Sequence, residues 1–110
     1  MVPVRKENET ASIPNRVGHL LRINSYMDGA ILSMWMNSPR APVVIGMVEA
    51  SVRHEGPGGK DEEFLKKLRG LISEAREFHA SNDFPPAMSR MRVAHDLIAL
   101  YIIRLTETQN

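Results

Sequence analysis

The sequence predicts an all-α fold, a small bundle of about four helices that ends in a helical hairpin. Apolar side chains recur at steps of three and four along residues 15–37, 60–80 and 87–106, the spacing of helices that are buried on one side. Proline and glycine clusters separate these stretches. With 110 residues, 43% hydrophobic and 25% charged, the chain has the size and composition of one folded domain. We expect residues 1–12 to form a flexible N-terminal arm and residues 13–110 a single helical domain.

The first predicted helix runs from about Asn15 to Asn37. Ser12 or Asn15 can cap its N-terminus, and Pro14 suits the first helical turn. Pro39 ends it. Its apolar residues cover more than the stripe that one neighbouring helix would bury, so we expect this helix to make two contacts.

Residues 43–53 are ambiguous between a strand and a helix. Their valines and isoleucine favour a strand. The chain offers no second strand for pairing, however, and an isolated strand leaves its backbone groups without partners. We therefore prefer a helix, with Pro42 in its first turn and the glycine-rich run at 56–59 ending it.

The last two predicted helices form the hairpin. Residues 60–80 give the clearest amphipathic helix, with acidic residues at 61–63 near its positive N-terminal end. A short turn at 81–86 leads to the last helix, which runs to about Thr106. Such a short joint makes the two helices antiparallel neighbours. Like the first helix, the last one is too apolar for a surface helix with one neighbour.

The sequence contains no pattern that indicates an enzyme. The four histidines are not spaced as metal ligands, and no serine lies in a GxSxG or SxxK context. The glycine-rich run lacks the phosphate-binding GxxxxGK[ST] pattern. We expect no catalytic residue, no metal and no cofactor.

The charge and cysteine content narrow the classes of partner. A net charge of +1 provides no overall field that attracts nucleic acid, so we expect no direct nucleic-acid binding. No apolar stretch approaches the roughly 20 residues that span a bilayer, and no secretory signal is recognised. The absence of cysteine suits a reducing compartment. We expect a cytoplasmic protein without a membrane partner.

The surplus of apolar helix surface predicts self-association. Two central helices out of four leave only two to cover them, which favours burial against a second copy. We expect a homodimer formed through a groove of small residues on the first helix, Ser25, Gly29 and Ser33, with Leu20 and Asn24 beside it. Close packing would offset the cost of Gly29, about 1 kcal/mol relative to alanine. Alternatively, both central helices are covered within a monomer and Gly29 is a tolerated weak point.

A second surface of the first helix is predicted to bind a protein partner. Its residues are Tyr26, Met27, Ile31, Met34 and Trp35. Methionine repacks against different partners, and aromatic residues are frequent anchors of interfaces. Trp35 is the preferred anchor because it is the only tryptophan and lies at a helix end. Alternatively, its indole caps the core.

The layout resembles that of a known group of regulators. A cysteine-free chain of this size, with an N-terminal arm, long helices of excess apolar surface and a final helical hairpin, is similar to the small bacterial quorum-sensing antiactivators of the QslA and TraM type. The resemblance covers about Asn15 to Thr106. It implies a helical dimer that binds a LuxR-type transcription factor, such as LasR, and blocks its dimerisation or DNA binding. The alternative is a small helical chaperone or adaptor for a secreted or partner protein.

Overall fold

The computed structural model describes residues 12–107, which form four α-helices and one short 3-10 turn. The helices are α1 (Ile13–Trp35), α2 (Ala41–Ser51), α3 (Glu62–Ala80) and α4 (Phe84–Glu107), with the 3-10 turn at Pro57–Gly59 between α2 and α3. No strand occurs in this part of the chain, so the all-α prediction and the helical interpretation of residues 43–53 are confirmed. Apart from Ser12, the expected N-terminal arm lies outside the described residues.

The helices form a closed ring in which α1 packs on α2, α2 on α3, α3 on α4, and α4 on α1. Short turns join α1 to α2 and α3 to α4, which makes the partners in each pair antiparallel. Between α2 and α3, Arg76 reaches Glu49 and Arg69 reaches the backbone carbonyl of Val52. The earlier position on the α2 side thus contacts the later residue of α3, and the later position contacts the earlier one. These two helices are therefore antiparallel as well. The predicted C-terminal hairpin is confirmed.

The end of α1 is fixed by an asparagine in the left-handed conformation. Asn37 has φ 52°, and the N–H of Ser38 donates to the carbonyl of Ser33 over 2.9 Å, which satisfies one of the free carbonyls of the last turn. Asn82, with φ 60°, follows α3 in the same way. Asparagine adopts this conformation more readily than most residues, so α1 ends at Trp35.

The helix starts follow the predicted chemistry with one difference. The Ser12 hydroxyl accepts a hydrogen bond from the N–H of Asn15 over 3.4 Å, which confirms the predicted cap of α1. α4 begins at Phe84, whereas the prediction places residues 85–86 in a turn before it. Prolines fit the first turn of a helix because the N–H groups there have no helical acceptor.

The core is built from aliphatic and methionine side chains of all four helices. The largest fully buried side chains are Leu20, Ile23, Met27, Met34, Ile45, Val48, Val52, Leu65, Leu68, Ile72, Met91 and Ile98. No aromatic ring belongs to this set among the described residues. Unbranched methionines therefore fill gaps that rings occupy in many other cores.

One buried carboxylate ties three helices together at one end of the bundle, which we call the base. Asp61, directly before α3, is the single buried charged residue of the described chain, with 1% exposure. Arg16 of α1 donates to both of its oxygens over 2.6 and 3.2 Å, and the Tyr101 hydroxyl of α4 donates over 2.7 Å. The hydrogen bond to Asp61 raises the pKa of Arg16, and burial raises the pKa of Tyr101.

Phe64 supports the same contact from α3. Its ring stacks on that of Tyr101, with the ring centroids 4.0 Å apart and the planes 3° from parallel. The stack limits the positions that the Tyr101 hydroxyl can take and so helps to hold it on Asp61.

We predict that Asp61→Asn lowers the free energy of unfolding by about 3 to 5 kcal/mol, because the change leaves Arg16 partly buried without its counter-charge. Glu74→Gln is the matched control: it removes an exposed α3 carboxylate that pairs with Arg90 of α4 over 3.2 Å, which contributes less than about 1 kcal/mol. Urea unfolding followed by circular dichroism measures both. Equal losses in the two variants would contradict the central role of Asp61.

Candidate protein-binding surface

Three of the predicted contact residues of α1 lie inside the bundle. Leu20, Met27 and Met34 are each at most 1% exposed. They follow one another at intervals of seven residues, so they share the side of α1 that faces the centre of the ring. No second molecule reaches them unless the bundle opens. The assignments of Leu20 to dimerisation and of Met27 and Met34 to partner binding are therefore corrected.

The groove of small residues faces a helix of the same chain. A Cβ atom added to Gly29 would lie 3.6 Å from Cγ1 of Val44, so α2 closes the groove at this point. Ser33 is half-buried, while Ser25 is exposed and its hydroxyl donates to the carbonyl of Leu21 over 3.0 Å. The close approach predicted at Gly29 is thus made within the chain. Dimerisation itself stays a prediction.

The side chain of Asn24 is only partly accessible in the single chain. Its side-chain oxygen is buried and accepts no hydrogen bond within residues 12–107. Asn24 lies one turn before Asp28 on the flank of α1 that faces α4, as the contact between Asp28 and His95 shows. The residue as a whole is half-buried, so its predicted role in a dimer contact stays a prediction.

An exposed apolar cluster lies at the end of the bundle opposite the base, which we call the tip. Trp35 is 72% exposed, Met36 68% and Leu32 58%. The alternative interpretation of Trp35 as a cap on the core is therefore wrong. Burial of a large aromatic side chain contributes strongly to an interface, so a cluster of this kind marks a candidate binding surface.

Beside Trp35, α1 and α4 enclose a cleft of about 470 Å³, the tip cleft. Its lining residues are Asp28, Ile31, Leu32, Trp35, Met88, Arg92, His95 and Asp96. The apolar residues come mainly from α1, and the charged ones mainly from α4. At the polar side, Nε2 of His95 lies 2.7 Å from a carboxylate oxygen of Asp28. The cleft therefore combines an apolar wall with groups that form ion pairs or hydrogen bonds.

The structure brings together only part of the predicted protein-binding set. Ile31 and Trp35 both line the tip cleft, whereas Tyr26 lines a different cleft, between α1 and α2. Sequence reasoning missed Leu32 and Arg92 as surface residues of this cleft. The spacing of Asp28, Leu32 and Trp35, at steps of four and three, was the available signal.

A second exposed apolar line runs along α4. Its residues are Val93, Leu97, Leu100 and Ile103. The first three recur at steps of four and three, the spacing of a seam between two helices. The prediction that the first and last helices carry more apolar surface than the monomer covers is therefore confirmed for both helices.

Comparison with known proteins identifies no relative: no family, no curated protein and no solved structure matches the chain. Across residues 12–107, none of the helices has the length and apolar character needed to cross a bilayer. The same residues contain no group of three or more histidine, aspartate or glutamate side chains arranged to hold a metal ion.

We predict that Gly29→Ala keeps the fold and raises its stability by up to about 1 kcal/mol, because alanine has the higher helix propensity and its Cβ makes an ordinary contact with Val44. Gly70→Ala is the matched control, since nothing lies within 4 Å of that position. Thermal unfolding and sedimentation velocity measure the two variants. Loss of self-association in Gly29→Ala alone would show instead that the groove contacts a second copy.

Proposed function

We propose that this chain is a non-enzymatic regulator that binds a protein partner at the tip. The observation that carries the proposal is the exposure of the single tryptophan, Trp35, together with Leu32 and Met36. Tryptophan is strongly enriched among the few residues that supply most of the free energy of an interface. An exposed apolar cluster beside a cleft with charged groups has the composition of such a centre and its polar rim.

The shape of the tip cleft favours a helical segment of the partner. The cleft lies between two antiparallel helices, where the apolar face of a third helix can pack. Leu32 and Trp35 would contact that apolar face, while Arg92 and Asp96 are placed to pair with charges along its sides. These two opposite charges set the direction in which the partner helix binds.

We propose a LuxR-type transcription factor, similar to LasR, as the partner. The proposal follows from the resemblance to the quorum-sensing antiactivators, and the exposed tip supports it because antiactivation requires only an apolar surface that competes with the factor's own dimer contacts. Occupation of such a helix would block dimerisation of the factor or its binding to DNA. A helical chaperone or adaptor would use the tip in the same way but would leave DNA binding by the factor unchanged.

The proposed homodimer uses α4 in place of the α1 groove. Leu97 and Leu100 are exposed on the outer side of α4, away from the tip. Paired helices bury such a line in a shared seam, which would leave Trp35 free for the partner.

We predict that Leu100→Lys yields a monomer, because the change replaces an apolar side chain of the seam with a charge that loses its water when the seam forms. Val43→Lys, at an exposed position of α2, is the matched control and keeps the dimer. Sedimentation velocity at micromolar concentration distinguishes the two states. A wild-type chain that sediments as a 12.4 kDa species would reject the dimer.

We predict that Trp35→Ala weakens binding to the LuxR-type factor by about 30-fold or more, the loss typical of a central anchor. The side chain is exposed, so unfolding should change by no more than about 0.5 kcal/mol. Leu21→Ala removes an exposed apolar side chain of α1 away from the tip and should keep full affinity. Fluorescence anisotropy of the factor on its DNA site, titrated with each variant, measures the competition.

A fluorine label on Trp35 gives a direct readout of the contact. Because the chain has one tryptophan, 5-fluorotryptophan produces a single ¹⁹F resonance, which should shift when the factor buries the indole. If the Trp35→Ala chain still inhibits DNA binding by the factor as strongly as the wild type does, the tip is rejected as the binding site. Binding of the wild-type chain to a secreted protein, without any effect on DNA binding, would favour the chaperone.

A further inference from the structure

The flank of α1 opposite the tip cleft carries a second cleft, between α1 and α2, which we call the basic cleft. Its volume is about 330 Å³, at the small end of the range of ligand sites. Its lining residues are His19, Arg22, Ile23, Tyr26, Met47, Ala50, Ser51 and His54. Three of these side chains are basic and none is a carboxylate. The basic cleft is thus separate from the surface assigned to protein binding.

The basic side chains of this cleft are not neutralised by acids of the described chain. Neither Arg22 nor His54 forms an ion pair with any aspartate or glutamate within residues 12–107, although Arg16, Arg69 and Arg76 all do. An arginine left in a cleft without a counter-charge is available for a carboxylate or phosphate oxygen, which its planar group binds through two parallel hydrogen bonds.

His19 is the most buried of the three basic residues of this cleft. Burial lowers its pKa most, and the positive charges of Arg22 and His54 lower it further, while Asp61 acts in the opposite direction. Its Nε2 atom is buried without a hydrogen-bond partner among the described residues. The ring is held in place by Gly56, where an added Cβ would lie 2.8 Å from Cδ2 and where φ is 78°.

The other side of the basic cleft is apolar. Ile23 is buried, and Met47 presents its flexible thioether at the surface. The ring of Tyr26 adds an aromatic face. A ligand that satisfies both sides must therefore carry a negative head group and an apolar body.

We propose that the basic cleft binds a small organic anion, an oxyanion such as a carboxylate or phosphate monoester on a short apolar chain or ring. Arg22 holds the oxyanion, with His54 as a second donor, and Met47 and Tyr26 contact the apolar part. This site goes beyond the proposed regulatory function and does not depend on it, since the two clefts lie on opposite flanks of α1.

The test uses octanoate and octyl phosphate as probes of the full-length chain in ¹H–¹⁵N correlation spectra. Both should bind with a dissociation constant of about 1 mM or tighter, as befits ligands of this size, and should shift resonances of residues 19–26 and 47–54. Inorganic phosphate tests the charge alone, and 1-octanol tests the apolar body alone. Each should bind at least about tenfold more weakly than the combined probes.

Arg22→Gln should weaken octanoate binding by about tenfold or more, since it removes a charged hydrogen-bond donor from an exposed position without disturbing the core. His54→Gln should also weaken octanoate binding, by a smaller factor. Arg92→Gln, in the tip cleft, is the matched control and should bind octanoate as the wild type does. The proposal is overturned if octanoate causes no localised shifts, if 1-octanol binds equally well, or if Arg22→Gln keeps full affinity.

Discussion

The buried carboxylate of Asp61 is the contact on which the packing of this bundle depends. It lies before α3 and accepts hydrogen bonds from Arg16 of α1 and Tyr101 of α4. A charge that leaves water is tolerated only when its partners are close and well oriented, so these three helix ends cannot slide independently. The register of α1 against α4 is thereby fixed along the bundle, from the base to the tip cleft, where Trp35 and Met88 line opposite sides.

The same packing decides the rotation of α1 and, with it, the exposure of the tip. Met34 is buried and Trp35 follows it, about 100° further around the helix. A rotation that buried the indole would bring Met34 out of the core. The exposed tryptophan is therefore a consequence of how α1 packs.

α1 also separates two clefts of different chemistry. The tip cleft has both acidic and basic groups beside its apolar wall, while the basic cleft has no acid in its lining. Residues of α1 and α2 line the basic cleft together. One helix thus separates the cleft at which we propose protein binding from the cleft at which we propose binding of a small anion.

The sequence by itself determined the helices, the cap of α1 and the surplus of apolar surface, because these depend on neighbours a few residues away. The cap at Ser12 and the end of α1 near Asn37 are of this kind. Only the tertiary structure decided which apolar line of α1 is buried, because α1 is apolar on several sides and its pattern admits more than one rotation. Asp61 is the clearest case: an acid before a helix normally faces water, and the partners that bury it lie 45 and 40 residues away in the chain.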